Sequence, residues 1–227
     1  MKRSILAGVV LVWLAAQAPA DYYDPPEGWA DNPYFTHQVW EFMTSNPVPL
    51  PEVDGNPYGQ PSAAMGGDTI WILDPSAYVP TDRRGMWVVG GFNDPTAALM
   101  ELYLPNDPSD LRDKYVWLQL VYFIAGAPGA AYQAALTVDG GETVSVVPGS
   151  EVAYPVPGES GWFYFEKMWH IDPQPGHEWI DCSIALPAGA VFALDEAAVD
   201  TICVPEPATL ALTALGAAAA ALMRRRR

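Results

Sequence analysis

Positive charge is what this chain has least of. Its 227 residues hold 11 Lys and Arg against 27 Asp and Glu. Between residues 21 and 204 the basic residues are Arg83, Arg84, Arg112, Lys114 and Lys167 alone. With Glu206 in the tail set aside, 26 acidic residues face those five, a net charge of −21. A surface of that sign excludes nucleic acid as a partner. It also excludes anionic glycans and anionic lipid as direct partners, unless divalent cations bridge them. Solubility alone accounts for an excess of this kind. Histidine is nearly as scarce, with His37, His170 and His177 only, and cysteine is limited to Cys182 and Cys203. There is no CxxC and no Cys/His spacing of the kind zinc requires. No G-x-S-x-G, H-E-x-x-H, G-x-G-x-x-G or P-loop is present, so no reaction is named by a motif and no catalytic residue is expected. No internal repeat is evident.

The informative segments are the two ends. Lys2 and Arg3 precede an apolar run over 5–14, and Ala18-Pro19-Ala20 places small residues where a signal peptidase reads. Residues 1–20 are thus expected to be a signal peptide, helical at its apolar centre, with Asp21 the first mature residue. At the other end Val204, Pro205, Glu206 and Pro207 are followed by an alanine-rich run over 208–223, then by Arg224, Arg225, Arg226 and Arg227. At about 1.5 Å per residue that run spans roughly 24 Å as a helix, short against a hydrocarbon core of roughly 30 Å. Its length suits a transient transmembrane helix, and the positive-inside rule keeps the arginines cytoplasmic and everything upstream outside. A plain tail anchor and an amphipathic helix are the alternatives.

A proline-acid signal, one apolar segment and a terminal arginine cluster, in that order, resemble the PEP-CTERM protein-sorting tail. The resemblance covers 204–227 and implies recognition in the inner membrane by an exosortase, cleavage near Pro-Glu-Pro, and delivery to the cell surface or exopolysaccharide matrix. Exosortase and signal peptidase are then the processing partners, and the inner membrane is met only in passing.

Residues 21–204 are long enough for one domain with a sizeable core. Residues 21–67 are rich in proline and turn formers around one apolar patch over 38–43, and read as an extended arm with one strand. Beyond it, runs of aromatic and β-branched residues occupy 69–73, 85–92, 99–104, 115–124, 134–138, 143–147, 162–171, 179–185 and 191–202. Asp139-Gly140-Gly141 between two such runs signals a hairpin. Only 95–104 and 108–114 have room for short helices, and prolines bound both. The expectation is all-β: a jelly-roll-like β-sandwich over 68–203 with the arm packed on it. The stretch 191–200 resembles the closing strand of galactose-binding-like and carbohydrate-binding jelly rolls, which bears on fold and not on function.

Candidate chemistry lies on strand faces. Alternation over 162–171 sends Phe163, Phe165, Trp169 and Ile171 to one face and Trp162, Tyr164, Glu166, Met168 and His170 to the other. The second set combines flat rings with polar groups, as stacking on a sugar and hydrogen bonding to its hydroxyls require. Trp117 and Trp179, with Tyr115, Gln119 and Asp181, extend that platform if registers align; simple burial of the tryptophans is the competing account. A glycosidase needs two facing carboxylates, for which Glu166 with Glu178 or Asp181 is the best pair. Asn106, Asp107, Asp110 and Asp113 bunch oxygen donors of the kind calcium takes, without EF-hand spacing, and turn formation also explains them. A structural calcium is the most that is expected by way of cofactor, and His170, Asp172, His177 and Glu178 read as ordinary polar residues rather than a metal cluster. In an oxidising compartment Cys182 and Cys203 are candidates for a disulfide worth roughly 3 kcal/mol. The leading expectation is a non-catalytic exported surface or matrix protein associated with glycan; a dedicated carbohydrate-binding module and a glycoside-active enzyme are the alternatives.

Overall fold

The computed structural model describes residues 25–79, 81, 83–90, 94–107, 112–127 and 132–204. The expected signal peptide, the transmembrane helix and the Pro205 to Arg227 part of the tail lie outside the described residues. Among the described residues, no helix is long and apolar enough to cross a membrane.

Thirteen strands follow one another: β1 (Thr36–Trp40), β2 (Val53–Asp54), β3 (Ser62–Gly67), β4 (Ile70–Ile72), β5 (Met86–Gly90), β6 (Thr96–Pro105), β7 (Asp113–Ala125), β8 (Gln133–Val138), β9 (Thr143–Val146), β10 (Val152–Pro155), β11 (Trp162–Asp172), β12 (His177–Leu186) and β13 (Val191–Val204). Among the described residues a single 3-10 turn spans Pro75–Ala77, capped by Asp74, whose side chain accepts from the Ser76 amide. The nine β-branched and aromatic runs are all strands.

The strands form two antiparallel sheets. The larger has nine strands and runs β10-β11-β7-β13-β1-β2, with β5 also on β13, β4 on β5, and β9 on β11. The smaller runs β3-β6-β12-β8. The chain alternates between sheets from β5 to β9 and again from β11 to β13, so that β5-β13-β7-β11 faces β6-β12-β8, the connectivity of a jelly roll. Strand periodicity accounts for the core. Leu118, Leu120 and Tyr122 of β7, Phe165, Trp169 and Ile171 of β11, and Leu194 and Val199 of β13 point inward from one sheet. Met100, Leu102 and Leu104 of β6 and Ile180 and Ile184 of β12 meet them from the other. Phe163 packs against the same cluster, as its place in the alternation requires.

One polar group crosses this core. Lys114 of β7 and Glu178 of β12 both sit at inward-facing positions, and their side chains, 2% and 0% exposed, meet at 2.6 Å. Asn106 accepts from Lys114 and donates to the other oxygen of Glu178 at 3.1 Å and to the Pro175 carbonyl at 3.1 Å. The pair is charge-neutral and hydrogen-bonded at both ends, the condition under which buried charge is tolerated.

Several expectations are corrected. The arm carries three strands, β1, β2 and β3, and places them in both sheets. Its short turn-bounded pieces found partners through backbone pairing, which composition does not show. Residues 96–105 are a strand and not a helix, because Met100, Leu102 and Leu104 recur with period two. Asp139-Gly140-Gly141 does not close a hairpin. Here β8 pairs with β12 and β9 with β11, so the turn hands the chain from one sheet to the other, and Gly140 at φ 143° supplies the backbone freedom this takes. Cys182 and Cys203 are not bridged, since they stand in opposite sheets with different partners. The Cys203 thiol donates to Gln174 Oε1 at 2.6 Å. Burial pushes the Cys182 thiol up to about 12.

Candidate functional site

A sandwich has two outer faces, and the two here differ in what they leave unsatisfied. On the nine-stranded sheet, register sets Tyr164 opposite Val121, Glu166 opposite Gln119, Met168 opposite Trp117 and His170 opposite Tyr115. Glu196 stands opposite Val121 and Asp200 opposite Trp117. Much of this face is covered from within the chain. Trp29 of the arm sits edge-on over Trp117, ring centres 6.3 Å apart. Trp162 is 1% exposed and packs with Val79, Val88, Val121, Phe123 and Val156 in a second apolar cluster, with the Arg83 guanidinium 4.7 Å above its ring.

The carboxylates of this face are engaged through one oxygen or both, although Asp200 Oδ2 and the neighbouring Gln119 Oε1 are buried without a hydrogen-bond partner. His37 Nδ1 meets Asp200 Oδ1 at 2.6 Å, His170 Nε2 meets Asp113 Oδ2 at 3.0 Å, and Tyr154 donates to Glu166 Oε1 at 2.6 Å. A bulge between Leu194 and Glu196 turns Asp195 and Glu196 to the same side, and Asp195 pairs with Arg83, which also reaches Glu159. Burial, partly offset by Arg83, raises the Asp195 carboxyl to about 6. Burial likewise raises Asp200 against the pull of His37.

The four-stranded sheet presents the opposite case. Its outward side chains lie in three cross-strand rows. Ser62, Tyr103, Trp179 and Thr137 form the first, Ala64, Glu101, Asp181 and Ala135 the second, and Gly66, Leu99, Ser183 and Gln133 the third. In the first row the Tyr103 and Trp179 ring centres are 5.7 Å apart. His177 extends the patch, its Nδ1 3.0 Å from the Tyr103 hydroxyl. In the second row Glu101 and Asp181 are both exposed and, among the described residues, neither has a hydrogen-bond or ion-pair partner. Because Ala64, Ala135 and Gly66 are small, nothing rises beside the carboxylates. An open trough of about 460 Å³ runs along the second and third rows, lined by Ala64, Gly66, Leu99, Glu101, Asp181 and Ser183. That size is in the range of small-molecule clefts. Chemically, the face offers two aromatic rings tilted 45° to each other, two carboxylates and two neutral polar groups, with His177 at its edge.

The sequence-nominated residues are therefore divided. Trp117, Tyr164 and Glu166 share the outer face of the nine-stranded sheet, with Tyr115 and Gln119. Trp162 is buried under Val79, Arg83 and Val156 and leaves the platform. Trp179 leaves it too, because β12 belongs to the other sheet, as does Asp181. Of the nominated carboxylates, Glu166 and Asp181 lie on opposite outer faces and Glu178 lies between the sheets on Lys114, so no two of them meet. Of the oxygen-rich loop, Asn106 turns inward to Lys114 while Asp113 turns outward to His170, and Asp110 lies outside the described residues. Among the described residues no group of three or more His, Cys, Asp or Glu is placed to hold a metal ion. The sequence reading missed Glu101 and Tyr103. Their signal was the alternation of β6, where they occupy the phase opposite Met100, Leu102 and Leu104.

Comparison with known proteins adds a structural likeness and a motif. No curated protein matches the chain. A solved carbohydrate-binding module, described for specific mannan recognition, aligns at 12% identity over 73% of this chain and 97% of its own, with a TM-score of 0.30. The family description of the PEP-CTERM protein-sorting motif matches residues 204–227. That match begins on Val204, the residue that ends β13, so the sorting signal follows the last strand without a spacer. The chain thus carries a PEP-CTERM protein-sorting motif at its C-terminal end and is an exported, surface-directed protein.

Proposed function

We propose that this protein is a non-catalytic component of the cell surface or exopolysaccharide matrix, and that it holds glycan on the outer face of its four-stranded sheet. A signal peptidase and an exosortase process its ends, and the precursor is anchored in the inner membrane only between those two cuts. The observation that carries the glycan reading is the open row of Tyr103 and Trp179 beside the unpaired Glu101 and Asp181. Aromatic rings left half-exposed next to unsatisfied acceptors suit a ligand with apolar C–H faces and polar edges, which is what a pyranose presents. The other outer face is roofed by Trp29 and Val156, and its unsatisfied acceptors on Asp200 and Gln119 are buried, so it has less to offer a ligand.

A glycosidase reading has one observation in its favour, the adjacency of Glu101 and Asp181. Facing residues of an antiparallel pair have Cβ atoms about 5 Å apart. Glycosidase carboxylates, however, flank the scissile bond. These two project side by side from one floor, so both approach a sugar from the same face.

Two measurements test the proposal. Affinity electrophoresis in exopolysaccharide from the native surface is expected to retard the protein, and Trp179→Ala with Tyr103→Ala to abolish the retardation. Retardation lost in Trp117→Ala instead moves the seat to the other sheet, and release of reducing ends from the polysaccharide establishes an enzyme. Intact mass of the protein from the matrix is expected to begin at Asp21 and end within 204–207. A membrane-bound species that keeps Arg224 to Arg227 refutes the processing.

A further inference from the structure

The distribution of charge on the glycan face specifies a kind of glycan. Among the described residues, none of the five basic residues between 21 and 204 pairs with Glu101 or Asp181. Arg83 holds Asp195 and Glu159, Lys114 holds Glu178, Lys167 holds Glu151 at 2.7 Å, Arg112 lies 3.3 Å over the Tyr34 ring, and Arg84 is exposed on the segment that leads into β5 of the other sheet. None of them balances Glu101 and Asp181, which stand directly opposite each other across two hydrogen-bonded strands. Like charges in that position destabilise a sheet, so the pairing has a cost that the fold itself does not offset. A ligand offsets it by bringing a cation.

Resting on the reading of this face as a glycan seat, we infer that its ligand is a polysaccharide bearing free amino groups, an incompletely N-acetylated hexosamine polymer. The rows of the sheet are two residues apart, about 7 Å along the strands. A sugar ring stacked on Trp179 therefore sets a neighbouring ring over the second row. There a protonated amine has three donors to share between two acceptor-only carboxylates. Ala64 and Ala135 at the ends of the row leave room for the amine to reach both. Acidic and sulfated polymers are repelled by the same pair. Neutral ones gain the stacking and ordinary hydroxyl hydrogen bonds, without the charge.

Titration calorimetry tests this with chitosan oligosaccharides and fully N-acetylated oligosaccharides of equal length, which differ only in the amine, in mildly acidic buffer of low ionic strength. An exposed carboxylate–ammonium pair strengthens binding about two- to fivefold, so the two acids together give the amine form a preference of about tenfold. Glu101→Gln with Asp181→Asn is expected to erase the preference and keep the binding of the acetylated form. Glu27→Gln with Asp31→Asn removes the same charge from the exposed arm beside the other sheet, and is expected to leave the preference intact. Denaturation midpoints check that the variants remain folded. Equal affinity for both oligosaccharides, abolished by Trp179→Ala, overturns the amino-sugar inference and leaves the glycan seat standing. A preference that survives Glu101→Gln with Asp181→Asn, or falls equally in the arm variant, overturns it as general attraction to an acidic protein. Absence of binding by any glycan, neutral ones included, overturns both.

Discussion

Replacing Glu178 by Gln probes the buried ion pair that joins the two sheets. The substitution keeps the shape of the side chain and removes its charge, which leaves the Lys114 ammonium in the core, 2% exposed, with no counter-charge. It also turns one acceptor into a donor. The new amide nitrogen must face either Lys114 Nζ or Asn106 Nδ2, and both of those donate. Breaking a buried pair by removing one partner costs about 3–5 kcal/mol. Against a total stability of about 5–15 kcal/mol, that is about a fifth or more of what holds the domain. At this chain length it lowers Tm by roughly 10 °C. Urea unfolding followed by tryptophan fluorescence reads it as a lower midpoint at unchanged slope. Exchanging the pair together, Lys114→Met with Glu178→Leu, is expected to restore most of the loss, because apolar residues of similar volume replace a buried ion pair at little or no cost. If Glu178→Gln falls within about 0.5 kcal/mol of the parent, or the double exchange is as damaging as the single one, the pair does not bear on the joining of the sheets and the reasoning fails.

Three further outcomes follow from the same geometry. The Asp195 carboxyl is raised from 3.8 to about 6, so the folded chain binds a proton more tightly than the unfolded chain between those values. Stability is therefore highest at the acidic end of that window and falls, by up to about 3 kcal/mol, as pH rises through 6. Asp195→Asn flattens this dependence, and an unchanged slope in the variant refutes the assignment. Both thiols resist alkylation in the native protein and react on unfolding, with no disulfide seen in the non-reduced mass; rapid native labelling of either contradicts the burial of Cys182 and Cys203. Trp162→Ala costs about 3–5 kcal/mol as a core truncation, and Trp117→Ala, at the half-exposed edge under Trp29, distinctly less. Equal losses at the two positions disprove the difference in burial, whichever is larger.

How far the sequence could be read depended on the kind of interaction involved. Strands that bury one face announce themselves through period two. Thus β11 was divided correctly into Phe163, Phe165, Trp169 and Ile171 inside and Tyr164, Glu166, Met168 and His170 outside. Which strands share a sheet is decided by pairing across long sequence separations, and nothing in β12 alone indicates that Trp179 will stand on the opposite side of the sandwich from Trp117. The candidate face was missed for this reason, although both of its strands were foreseen. Trp162 shows a second limit. Its phase was right, but an outer face can be covered by loops, and the burial of Trp162 depends on Val79 and Val156, far apart in sequence. The pairing of β3 was invisible as well, because Ser62, Ala63 and Ala64 carry no hydrophobic signature and enter the sheet through backbone hydrogen bonds.

The last strand has a mechanical consequence. β13 lies in the interior of the nine-stranded sheet, between β7 on one side and β1 and β5 on the other, and it passes directly into the sorting tail at Val204. Whatever grips the tail pulls along the length of that strand. The ladder hydrogen bonds on both its sides then carry the load together in shear, instead of parting one at a time as at an edge. A pull on the domain would accordingly be borne along its strongest direction for as long as the tail, or a link made in its place, is held.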